Sequence, residues 1–248
     1  MFLPDKKDAV HKAWLYRLLQ EIADDSFLAS LFYFKGGTCA AMRGFLDRFS
    51  VDLDFDFVGS QGQIAFARRH LENVFKNLGL EIKDKSAKAP QYFLRYEDKN
   101  SSRSNLKIDT FFPPLPGNQY EPVRLIEIDR ILYCQTRETM FSNKLISLID
   151  RFKKGGSIAS RDLYDIHHFF IQDYSYDKNI IEKYSGTKRA VFFKDLREFI
   201  DTEIKQENID QDLNFLLPRD KFRKIRKFLK SETLMFLKDE IERLGKGG

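Results

Sequence analysis

Residues 33–57 read YFKGGTCAAMRGFLDRFSVDLDFDF, and the order of residue types in this stretch decides the fold. Tyr33 and Phe34 read as a short strand that stops abruptly at Lys35-Gly36-Gly37. The following TCAAMRGFL reads as a helix, because Ala and Met favour one and the glycines supply the turn into it. Then Val51, Leu53, Phe55 and Phe57 alternate with Asp52, Asp54 and Asp56. A period of two is a strand, here with one apolar and one acidic face. Strand, diglycine turn, helix and acidic strand make one compact unit.

Asp52 and Asp54, one residue apart on a strand, project from the same face. Carboxylates so placed repel unless a cation lies between them, and hard oxygen ligands select Mg2+ or Mn2+. Asp109, inside the strand-like NLKIDTFF, is the third acid; beside the first two it would complete a two-metal site for phosphoryl or nucleotidyl transfer. A D-x-D pair also suits a solvated sheet edge. Asp109 alone reads as a surface acid, and solvent exposure is the simplest reading of Asp56. Gly36-Gly37-Thr38 before a helix would let backbone N–H groups approach a phosphate, although strand-to-helix turns often contain Gly for purely structural reasons.

Outward from this unit, residues 8–24 place Val10, Trp14, Leu15, Leu18, Leu19 and Ile22 on one helical face. SFLASL is a second short helix with Ser26 as its N-cap. QGQIAFARRHLENVFKNLGL is an amphipathic helix, followed by three strand-like segments, LEIKD, QYFLRYED and NLKIDTFF. PPLPGNQYEP reads as a loop and VRLIEID as one more strand. From Thr136 helical patterns take over, in TRETMFSNKLISLIDRFKK and then SRDLYDIHHFFIQ, with KKGGS as the loop between them. The expected class is α+β: a mixed sheet flanked by helices over residues 1–135, then an all-helical domain over 136–248.

Of 248 residues, 42% are apolar and 32% charged, which excludes a disordered tail or a fibre. Cys39 and Cys134 are far apart in sequence and lack zinc spacing, and the N-terminus lacks a signal peptide's apolar core, so a reduced, cytoplasmic protein is expected. No run approaches 18 apolar residues, so no membrane span is expected. The net charge of +5 suits a nucleic-acid or polyphosphate partner without requiring one.

The stretch FKGGTCAAMRGFLDRFSVDLDFDF resembles the first motif of the polymerase-β-like nucleotidyltransferase superfamily, a GG[ST] turn followed by S-x-D-x-D. RFSVDLDF is closest to the AbiEii/AbiGii toxin branch of type IV toxin–antitoxin and phage-defence modules. Three further pieces follow in that branch's order: a carboxylate in an apolar strand, matched by Asp109; a helix with Lys144, Leu145 and Arg151; and R-D-x-x-D, matched by Arg161, Asp162 and Asp165. The resemblance covers roughly residues 33–170. It implies a nucleotidyltransferase-fold sheet, with Asp52, Asp54 and Asp109 holding the metal and Asp109 also helping to deprotonate the acceptor hydroxyl. Gly36, Gly37 and Thr38 would contact the NTP's triphosphate, and Ser50 would orient that loop or a phosphate. Lys144 and Asp162 would reach the cleft from the helical domain, Lys144 neutralising the leaving pyrophosphate. Arg151 and Asp165 would help bind the nucleotide. On this reading Asp54→Ala and Lys144→Ala fold normally but lose activity. His167 and His168, about 100° apart on a helix, are read as structural or surface residues.

Between Arg219 and Lys230 lie seven basic residues and one acid. A continuous helix there would align Arg219, Arg223, Arg226 and Lys230, either as an ordinary solvated face or as a contact to an RNA backbone. The resemblance implies a tRNA 3′ end as acceptor and a cognate antitoxin as partner. Two other readings remain: a small-molecule nucleotidyltransferase of the antibiotic-modifying kind, and a catalytically silent NTP- or RNA-binding module.

Overall fold

The computed structural model describes residues 3, 5–6, 8–97 and 104–246. The chain divides into two compact units, Met1–Pro114 with Gln119–Thr136, and Leu115–Asn118 with Arg137–Gly248.

In the first unit, helix α1 (Asp8–Asp24) buries Leu15, Leu18, Leu19 and Ile22, whose 3–4-residue spacing gives one apolar stripe. Val10 is exposed, against expectation; His11 takes the buried position and donates from Nε2 to the Val51 carbonyl at 2.9 Å. The N-cap of α2 (Ser26–Leu31) is Asp25, not Ser26: its carboxylate accepts from the Phe27 and Leu28 amides at 3.0 Å.

Strand β1 (Phe32–Lys35) leads into α3 (Gly36–Met42) and back into β2 (Asp52–Phe57). Helix α4 (Ile64–Asn77) precedes β3 (Glu81–Lys85), β4 (Tyr92–Arg95) and β5 (Asn105–Phe111). The expected strand QYFLRYED ends early, and its Asp98 lies outside the described residues. VRLIEID is not one strand. Strand β6 (Tyr120–Leu125) starts inside the expected loop, Ile126–Asp129 turns with Asp129 at φ 50°, and β7 (Arg130–Gln135) returns. The described strands form one mixed sheet ordered β3-β4-β5-β2-β1-β7-β6, parallel at β2–β5 and β1–β7 and antiparallel elsewhere.

The apolar face of β2 makes the centre of the core. Leu53, Phe55 and Phe57 are fully buried, and Phe55 and Phe57 meet Phe32 edge-on at 5.6 and 5.4 Å. Helix α1 packs on β2, β5 and β7. Edge strand β3 is exposed along its whole length, and its Glu-Ile-Lys-Asp-Lys sequence discourages pairing with another sheet.

The second unit is helical among its described residues: α5 (Arg137–Gly155), α6 (Ser160–Ile171), α7 (Lys178–Ser185), α8 (Arg189–Glu203), α9 (Gln206–Leu213), α10 (Arg219–Ile225) and α11 (Leu229–Lys246). Phe141 of α5 meets Phe169 and Phe170 of α6 edge-on at 5.1 and 5.0 Å. Helix α5 runs through most of the expected KKGGS loop and ends at Gly155, followed by Gly156, whose φ of +65° suits glycine. The basic stretch after Arg219 is not a continuous helix. It breaks between Ile225 and Leu229; Leu229 is fully buried, and two of the cations are bonded within the unit. Arg226 Nε donates to Asp210 at 2.7 Å, and Lys230 Nζ to the Asp201 and Ile204 carbonyls at 2.8 and 2.9 Å.

Candidate active site

Sheet register builds the site. Asp54 lies directly opposite Asp109 on β5 and opposite Lys35 on β1, while Asp52 lies opposite Lys107. Neighbouring strands run about 4.8 Å apart, so these side chains share one polar face. The three acids of the sequence motif therefore occupy adjacent positions on two paired strands.

The diglycine turn is fitted to that face. Gly36 has φ +76°, and a Cβ there would fall inside the van der Waals envelope of the Asp54 carboxylate. Both its backbone angle and its missing side chain are thus required. A Cβ on Gly37 would lie 2.7 Å from Arg48 Nη2 and 2.8 Å from Ser50 Oγ. Ser50 is therefore beside the turn, as expected. Thr38 is fully buried, and its hydroxyl donates to the Asp52 carbonyl at 2.5 Å, tying α3 to β2. Arg48, not singled out from sequence, is 2% exposed, and its Nη1 donates to the Phe49 carbonyl at 2.8 Å.

Asp109 is held on both oxygens. Gln91 Nε2 donates to Oδ1 at 2.6 Å and Lys107 Nζ to Oδ2 at 2.6 Å. Lys107 was legible in principle, since it stands two residues before Asp109 and so shares its face; Gln91 arrives through strand pairing and carries no local signal. Among the described residues, no three or more His, Cys, Asp or Glu side chains are gathered into a metal-holding group. The three acids share a face, but Asp109's carboxylate is engaged by Gln91 and Lys107.

Asp56 is not solvent-exposed; it is fully buried. Lys35 Nζ donates to its Oδ1 at 2.6 Å, while Tyr120 Oη and Gln135 Nε2 donate to Oδ2 at 2.8 and 2.7 Å. Those partners come from β1, β6 and β7, which only the tertiary fold brings to β2.

In the helical unit the predicted residues also converge. Lys144 Nζ lies 2.6 Å from Asp162 Oδ1 and 2.9 Å from Asp165 Oδ2, both carboxylates being fully buried. Their three-residue spacing puts them on one face of α6, facing α5. Arg151 Nε stands 3.3 Å from Asp162 Oδ2, near enough for ionic attraction but outside hydrogen-bonding geometry. Burial pushes the Asp162 carboxyl up, but the charges of Lys144 and Arg151 overcome that and hold it at about 2. The Ser160 amide at the head of α6 donates to Asp212 of α9 at 2.6 Å, a cap from a distant residue that sequence did not reveal. His167 is structural, as expected: it is buried, with Nε2 2.7 Å from Glu232 Oε2. In the basic stretch Arg219 and Arg223 are exposed, whereas Arg226 and Lys230 are bonded within the unit.

A mixed sheet carrying a diglycine turn beside a D-x-D strand is the architecture of the nucleotidyltransferases, and solved structures agree with it. The Helicobacter pylori protein JHP933 superposes with a TM-score of 0.62 at 19% identity, over 99% of this chain and 96% of that one. MenT4, a nucleotidyltransferase toxin from Mycobacterium tuberculosis, superposes with a TM-score of 0.51 at 16% identity, over 96% and 87%. At such identities the likeness establishes the fold. No curated protein matches the chain. Residues 17–235 match the family described as nucleotidyl transferase AbiEii toxin, type IV toxin–antitoxin system; the chain belongs to that family and is a nucleotidyltransferase. No helix among the described residues is long and apolar enough to cross a membrane.

Proposed function

We propose that the protein transfers a nucleoside monophosphate from an NTP to the 3′ end of a tRNA in a reaction that depends on Mg2+ or Mn2+, and that it acts as the toxin of a module with a cognate antitoxin. The observation that carries this reading is the row Asp109–Asp54 beside Asp52, with Gly36 packed against the Asp54 carboxylate. Paired carboxylate oxygens fit a hard divalent cation, which when bound would offset charge on the triphosphate.

The chain's own residues take the remaining roles. Asp52, Asp54 and Asp109 hold the cation, and the side-chain-free turn at Gly36-Gly37 lets backbone approach the phosphates, with Ser50 setting the turn. Asp109 accepts the proton of the attacking hydroxyl. Lys144 neutralises the departing pyrophosphate, its ammonium oriented by Asp162 and Asp165; Arg151 supports the nucleotide. Exposed Arg219 and Arg223 contact the RNA backbone, while Arg226 and Lys230 serve internal packing.

The test is incubation with labelled NTPs, Mg2+ and total tRNA. Label is expected on tRNA with the wild type and not with Asp52→Ala. NTP binding without tRNA labelling would overturn the acceptor assignment, and labelling by Asp52→Ala would overturn the site. Growth arrest on expression, relieved by the same substitution, tests the toxin role.

A further inference from the structure

Asp56 continues the acidic row of β2, yet it is not available as a cation ligand on the open face. It is fully buried, with Lys35 on one oxygen and Tyr120 and Gln135 on the other. Removing a carboxylate from water costs several kcal/mol, and a buried ion pair often stabilises a fold no better than apolar residues would. The arrangement needs another reason, and the position of Lys35 supplies one.

Lys35 immediately precedes Gly36 and lies directly across from Asp54. Its ammonium is not drawn onto Asp54, the nearest register partner; Asp56 holds it at 2.6 Å, 4.7 Å above the Phe111 ring, with the side chain still 20% exposed. A cation is thus fixed beside Asp56, two residues along β2 from Asp54, on the face that also carries Asp52, Asp54, Asp109 and the ion-paired Lys107. A triphosphate approaching those acids would meet repulsion, and a second positioned ammonium on the same face offsets part of it. From this geometry we infer that Lys35 is a phosphate-binding residue of the nucleotide site, and that Asp56, Tyr120 and Gln135 form the cradle that positions its ammonium. The inference rests on the nucleotidyl-transfer reading of the same face and adds a cation that the sequence motif does not single out.

The test variant is Lys35→Met combined with Asp56→Asn, because Lys35→Met alone would leave a buried carboxylate without its cation. Lys35→Arg, which keeps the charge, serves as the second variant. Binding of α,β-non-hydrolysable analogues of the four NTPs, with Mg2+, is measured beside binding of the corresponding nucleosides, which carry no phosphate. The double variant is expected to bind the preferred NTP analogue about tenfold or more weakly, with nucleoside affinity within about twofold of wild type, and Lys35→Arg to recover part of the loss. Unchanged NTP affinity, or equal losses for nucleotide and nucleoside, would overturn the inference, the latter because a merely structural role predicts it. A wild type that binds none of the four analogues would instead sink the parent reading, and this one with it.

Discussion

Replacing Lys144 by Met keeps the length and apolar stem of the side chain but removes the ammonium that lies 2.6 and 2.9 Å from two fully buried carboxylates. Breaking a buried pair by deleting one partner costs about 3–5 kcal/mol, since the remaining charge has neither water nor counter-ion. Here two acids lose a shared cation, and Arg151, 47% exposed and 3.3 Å from Asp162, compensates only in part. Against a domain stability of about 5–15 kcal/mol, the helical unit should lose about 10–20 °C in melting temperature. Lys144→Ala, which the sequence reading expects to fold normally, is therefore expected instead to confound folding with catalysis. The acid limb gives a second signature. The Asp162 carboxyl, normally near 3.8, is held at about 2, so its contribution is present above pH 4 and is lost as pH falls through 2. That contribution amounts to about 2 kcal/mol in the wild type; without Lys144 the carboxyl rises and the acid limb flattens. Urea unfolding by far-UV circular dichroism at pH 7 and pH 3 measures both effects. The single tryptophan, Trp14 in α1, reports separately on the sheet unit. Adding Asp162→Asn to Lys144→Met removes one stranded charge and should recover a large part of the loss. A Lys144→Met protein within about 1 kcal/mol of wild type at pH 7, well below that 3–5 kcal/mol range, would refute the reasoning.

Gly36→Ala combines a left-handed backbone angle, about 1–2 kcal/mol for an L-residue, with a methyl group driven into the Asp54 carboxylate; a modest drop in melting temperature should accompany near-complete loss of nucleotidyl transfer, whereas wild-type turnover would show that Asp54's position is immaterial. Lys107→Met frees Asp109 Oδ2 from its 2.6 Å ion pair, so Mn2+ titration followed by electron paramagnetic resonance should show tighter binding than wild type, and unchanged binding would remove Asp109 from the ligand set. Arg219→Glu with Arg223→Glu should weaken tRNA binding at all sequences and lower its salt dependence, leaving NTP binding intact; an unchanged salt slope would take RNA contact away from these residues.

The acidic strand, the diglycine turn and the change to helices after Thr136 were legible because each is local. Alternation assigns faces within a strand, and glycine marks a turn without knowledge of any partner. The pairing of Asp162 and Asp165 with Lys144 was also within reach, since a three-residue spacing on a helix announces a shared face. Errors cluster where neighbours from elsewhere decide the outcome. Asp56, read as solvent-exposed, is buried by residues of three other strands, and two cations of the basic stretch after Arg219 are bonded to distant residues of the helical unit.

From the amino-acid order alone came the side of β2 on which Asp52, Asp54 and Asp56 stand, because a strand's geometry repeats every two residues regardless of its surroundings. Whether each acid is wet or buried, and what it touches, belonged to the tertiary structure. The same alternation that aligned the three left Asp54 opposite Asp109 and sank Asp56 under Lys35, Tyr120 and Gln135. Those partners lie 21, 64 and 79 residues away in sequence, and only strand pairing brings them within hydrogen-bonding distance.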